Sequence, residues 1–82
     1  MSRLKAEPAA SIRTLEELFS VAAAMEIEAI EGYRALAGRM RREGRPELVA
    51  VFERLVEEES RHLGNVGDWS RRLTGGAPDP SA

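Results

Sequence analysis

The chain has 82 residues, no cysteine and a net charge of -2, from twelve Lys and Arg against fourteen Asp and Glu. That length allows one small domain at most, and a chain so short rarely buries enough apolar surface to stand alone, so a partner is expected. The absence of thiols excludes disulfides, zinc ribbons, iron–sulfur sites and thiol nucleophiles and leaves carboxylate and imidazole as metal ligands, while the interspersed charges form no basic block to track nucleic acid.

The first residues, MSRLKAEPAAS, lack the apolar core of a secretory signal, and no stretch approaches the ~18 apolar residues that span a bilayer. The sequence therefore reads as a cytoplasmic protein without a membrane partner. Residues 1–13 show no periodicity and contain Pro8, which predicts a disordered N-terminal arm. Thr14 followed by Glu17 fits a capping box, in which the threonine hydroxyl accepts from the backbone three residues on, so a helix begins at Leu15. Gly44 can take the left-handed conformation that closes this helix, and Pro46 suits the first turn of a second one, leaving REGRPE as the turn. The second helix runs to about Leu73, where TGGAPDPSA cannot continue it. Residues 14–73 are thus expected to form an all-α, antiparallel two-helix hairpin, and residues 74–82 a flexible tail.

The apolar positions show which faces are buried. In the first helix Leu15, Phe19, Ala22, Ala29, Tyr33, Leu36 and Met40 step by threes and fours only if Glu26 is counted among them. In the second, Leu48, Phe52, Leu55, Val66, Trp69 and Leu73 do so only if Glu59 and His62 are counted, and His62 is the only histidine. At ~100° per residue Glu59 lies within about 40° of Phe52, Leu55, Leu63 and Val66, whereas Glu58 is about 100° aside and Glu57 about 160° the other way. A core-facing carboxylate is costly unless paired. Across a turn centred near Arg45, Glu26 faces His62 with Glu59 one helical turn away, so two carboxylates and one imidazole converge. Glu59-x-x-His62 is a spacing that can hold a metal ion from one helix face. The competing reading is a non-catalytic helical interaction module in which these three residues form a buried hydrogen-bond network that fixes register. Glu28, Glu31, Glu57, Glu58, Arg61 and the run Arg39 to Arg42 read as solvated faces, and Met25 and Met40 as packing.

The stretches AMEIEAIEGYRALA (Ala24 to Ala37) and PELVAVFERLVEEESRH (Pro46 to His62) resemble the rubrerythrin and ferritin-like di-iron carboxylate proteins. In that family a ligating Glu precedes a core Tyr by seven residues, as Glu26 precedes Tyr33 here, and a Glu-x-x-His follows on the next helix. The resemblance implies a dinuclear iron centre, with manganese as an alternative metal. Glu26 would be a terminal or bridging carboxylate, Glu59 the bridging carboxylate, His62 a terminal nitrogen ligand, and Tyr33 a neighbour hydrogen-bonded toward a carboxylate. It also implies oxidation of Fe(II) by dioxygen or peroxide, a ferroxidase reaction. A bundle of this kind needs a Glu from two helices and a Glu-x-x-His from two others, and this chain carries the motif once. The chain is similar in this respect to the encapsulated ferritin-like proteins, whose two-helix subunits form the site between them. A homodimer with a four-helix bundle, or a higher assembly, is therefore expected. The tail GGAPDPSA shows no apolar docking peptide for loading into a capsid shell.

Overall fold

The computed structural model describes residues 14–81, so the arm expected over 1–13 lies outside the described residues. Two helices, α1 (Leu15–Arg42) and α2 (Pro46–Thr74), make up the described chain. The start of α1 follows from its cap: Thr14 is extended, and its hydroxyl accepts from the Glu17 backbone N–H at 3.0 Å. Glu16 and Glu17 in the first turn and Arg39, Arg41 and Arg42 in the last complement the helix dipole. Gly44 takes φ 72°, a left-handed conformation that costs little only for glycine, and Pro46 opens α2 where no backbone donor is needed. The Arg41–Glu53 ion pair at 2.6 Å ties the two helices together beside this turn. α2 ends one residue beyond the expected Leu73, at left-handed Gly75, whose N–H bonds to the Arg71 carbonyl.

The two helices pack along a seam one position round from the expected series. On α1 the buried residues are Phe19, Ala23, Ile30 and Ala37, and only Phe19 belongs to that series. Leu15 and Leu36 are exposed instead, as are Trp69 and Leu73 on α2. The apolar sector of α1 is wide enough for two contacts: one edge, with Ala23 and Ala37, packs on α2, and the other edge, with Leu15, Leu18 and Leu36, is exposed among the described residues. The core is accordingly small, with Phe19, Ala23 and Val66 at its centre and Ala22 and Leu63 against it.

Residues 75–81, read from sequence as a flexible tail, return along the open end of the hairpin. Ser70, 1% exposed, donates to the Gly76 carbonyl at 2.7 Å, and the Asp79 N–H donates to the Ser20 hydroxyl at 2.9 Å. The molecule measures 45 × 24 × 14 Å, so its thin dimension is little more than one helix. Among the described residues no helix is long and apolar enough to cross a membrane.

Candidate metal centre

Glu26 sits in the middle of α1, and Glu59 and His62 lie one turn apart in the middle of α2. Helical spacing turns all three toward the edge of the seam. One donor atom from each lies within 4.8 Å of the others, close enough to surround a single cation. His62 Nδ1 stands 3.5 Å from Glu59 Oε1. Glu26 meets Glu59 through a side-chain hydrogen bond, so the helix register brings the two carboxyls together directly rather than setting Glu26 opposite His62 alone.

Two carboxyls can share a hydrogen bond only if one carries the proton, and the electrostatics agree. The Glu26 carboxyl is pushed from its ordinary 4.5 up to about 7, chiefly by burial, then by its hydrogen bond to Glu59 and by the Glu59 charge, with His62 opposing the rise. A proton near neutrality thus occupies the place where a divalent cation would neutralise both groups. Two hard carboxylates and one imidazole suit iron or manganese.

The cluster faces outward along one side. The Glu59 side chain is 22% exposed but that of His62 is 54% exposed, so its imidazole lies on a face of the hairpin that is open among the described residues. Sequence phase placed all three residues in the core. In the single chain they line its rim, with exposed Met25 next to Glu26 in sequence.

Tyr33, seven residues after Glu26, is half-buried and stacks on Phe52 with ring centroids 6.3 Å apart. That contact fixes its ring between the helices, in the half of the hairpin nearer the turn. Glu28, which sequence phase turned toward solvent, has one carboxylate oxygen, Oε1, buried with no hydrogen-bond partner among the described residues. On α2, Glu58 pairs with Arg54 at 3.8 Å.

A family model described as rubrerythrin matches residues 17–79, which takes in both helices and all three clustered residues. Neither the curated proteins nor the solved structures contain a match to the chain.

Proposed function

Because the chain belongs to the rubrerythrin family, we propose that it is a ferritin-like iron protein whose two-helix subunits pair into a four-helix bundle and share a di-iron centre. Each subunit contributes Glu26, Glu59 and His62, and two copies supply the Glu and Glu-x-x-His set that this kind of bundle requires. The observation that carries this reading is the convergence of the three donor atoms within 4.8 Å at the edge of an uncovered apolar face. A second copy laid on that face would complete the ligands and cover the apolar residues at once.

Iron held there would supply one-electron steps, with Fe(II) itself as the substrate oxidised by dioxygen or peroxide. The protein's part is carried by its own side chains. Glu26 would give up its proton to a bound cation, because burial and the Glu59 charge raise its pKa where no counter-charge is present. Glu59, hydrogen-bonded to Glu26 and within 3.5 Å of His62, stands between the other two and would hold the metal together with both. Burial of the paired faces limits water at the centre. Tyr33, held by Phe52, lies seven residues after Glu26 on the same side of α1, and the family resemblance gives it a role beside that carboxylate. In this oxidation Fe(II) itself supplies the electrons; a peroxidase relay would instead need an external reductant, since the chain has no cysteine with which to build a rubredoxin site. Manganese fits the same donor set.

The test is anaerobic Fe(II) titration followed by exposure to air. The expected result is saturation near one iron per chain and a ferric absorbance band that grows on oxygenation. Absence of stoichiometric binding would return the cluster to a hydrogen-bond network that sets register in a helical interaction module.

A further inference from the structure

We propose that residues 75–79 form a clasp that holds the free end of the hairpin shut, with the Ser20 hydroxyl as its catch, and that this clasp sets the spacing between the two helices where they carry Glu26, Glu59 and His62. The clasp rests on the fold alone. Its effect on the cluster rests on the metal reading above.

The two ends of the hairpin are held differently. At the turn the helices are joined covalently, and the Arg41–Glu53 ion pair bridges them. At the free end no turn joins them, and the large apolar side chains there, Leu15, Leu18, Trp69 and Leu73, are all exposed. Packing at that end comes from the small cluster of Phe19, Ala23 and Val66. Helix ends with so few buried contacts fray. The C-terminal segment supplies a tie, since it leaves the end of α2 and reaches Ser20 on α1, 59 residues away in sequence.

The bonds of this segment are those of a built turn. Gly75 takes φ 85° and reverses the chain. Ser70, the one buried polar side chain among the described residues, donates to the Gly76 carbonyl, and the Gly76 N–H donates to Thr74 Oγ1 at 3.2 Å. Pro78 is half-buried, and Asp79 lies between it and Pro80, which narrows the backbone freedom of all three. Of these three residues only Asp79 has a backbone N–H, and that donor is used on the Ser20 hydroxyl. The Asp79 carboxylate in turn accepts from the Ser81 N–H at 3.1 Å and the Ser81 hydroxyl at 2.8 Å, which fixes the chain just past the catch. A segment stiffened by two prolines loses little entropy when it docks.

Ser20 precedes Glu26 by six residues and Ser70 follows His62 by eight, so at ~1.5 Å per residue the clasp stands roughly 9 to 12 Å from the ligands along the helices. The cluster therefore sits between two ties, the turn and the clasp. Glu26 is on one helix and Glu59 and His62 are on the other, so donor atoms within 4.8 Å of one another require the helices to keep one spacing. A looseness of about 1 Å is enough to spoil a site of this kind.

Native-state hydrogen exchange of the full chain, at fixed concentration and without metal, tests the clasp. Ser20→Ala should speed exchange about fivefold or more at the free end, residues 18–24 and 66–74, and leave the turn end, residues 36–41 and 48–54, unchanged. A chain ending at Gly75 should show the same pattern more strongly, and Ser20→Thr, which keeps the hydroxyl, should retain native protection. Unchanged exchange in Ser20→Ala, or exchange that speeds equally at both ends, overturns the clasp. Co(II) titration then reads the spacing. Affinity should fall about fivefold in Ser20→Ala and recover in Ser20→Thr, with the helical circular dichroism of both variants matching the native chain. Equal Co(II) affinity in the native and Ser20→Ala chains overturns the effect on the cluster. A native chain that binds no Co(II) removes the metal reading and that effect with it, while the exchange pattern still decides the clasp.

Discussion

Glu57, Glu58 and Glu59 are consecutive, yet the first is exposed, the second pairs with Arg54, and the third lies beside His62 and hydrogen-bonds to Glu26. A change at each tests a different thing. Glu59→Ala should abolish stoichiometric iron binding and Fe(II) oxidation while the helices stay formed, because it removes a partly buried carboxylate that has to be compensated. Glu57→Ala should leave both nearly unchanged. Ferric absorbance of the two variants after oxygenation makes the comparison, and the reverse outcome would mean that the second helix is out of phase with this assignment. Glu26 gives a pH signature. Its folded value near 7 exceeds its ordinary 4.5, so between those values the folded chain binds more protons than the unfolded chain. The contribution to stability is therefore complete below about 4.5 and is lost as pH rises through 7. Denaturant unfolding of metal-free protein at fixed concentration should show lower stability at pH 8 than at pH 5, and Glu26→Gln should flatten that difference. The same proton competes with metal, so iron affinity should rise with pH through neutrality. The identity of the cluster was legible in the sequence because Glu26, Glu59 and His62 interrupt an otherwise apolar series. The openness of His62 was not, because phase reports which face a residue shares and says nothing of whether a second surface covers it.

At the scale of the helix, the ends were legible and the seam was less so. Thr14, Gly44, Pro46 and Gly75 act through local backbone chemistry, and each stands where a cap or turn residue should. Thr14→Ala should lower stability by about 1 kcal/mol through loss of the bond to the Glu17 N–H, read as a shifted denaturation midpoint with unchanged slope. The seam depends on which part of a broad apolar sector the other helix selects. Phe19, Ala23, Ile30 and Ala37 took that place, while Leu15 and Leu36 of the same sector are exposed. Sequence periodicity treats the sector as one stripe, whereas the fold divides it between a contact made here and a contact left open.

For the whole molecule, the thin dimension of 14 Å is the governing fact, since stable domains are built from at least two packed layers and this hairpin supplies one. Self-association and metal loading should therefore be linked. Removing metal with a chelator should lower the association constant, and restoring Fe(II) should recover it, because a ligand shared between subunits binds the assembled form alone. Sedimentation with and without chelator measures the change. A stable metal-free monomer that binds one iron with no change in mass would contradict the shared site.

The reversal between α1 and α2 has only three residues, Glu43 to Arg45, and its geometry depends on the left-handed Gly44 with Pro46 just beyond. Those two residues act as a guard against domain swapping. If alanine stood at both positions, nothing in the local chemistry would stop the helix from running straight through, giving a rod of about 90 Å at 1.5 Å per residue. Two such rods could exchange halves, each α1 seated on the other chain's α2 through the same Phe19, Ala23 and Val66 contacts. The Gly44→Ala, Pro46→Ala chain should consequently sediment as an elongated, slowly exchanging dimer, with a frictional ratio well above that of the native assembly. What the glycine and proline secure is that each chain pairs its own two helices before it meets another.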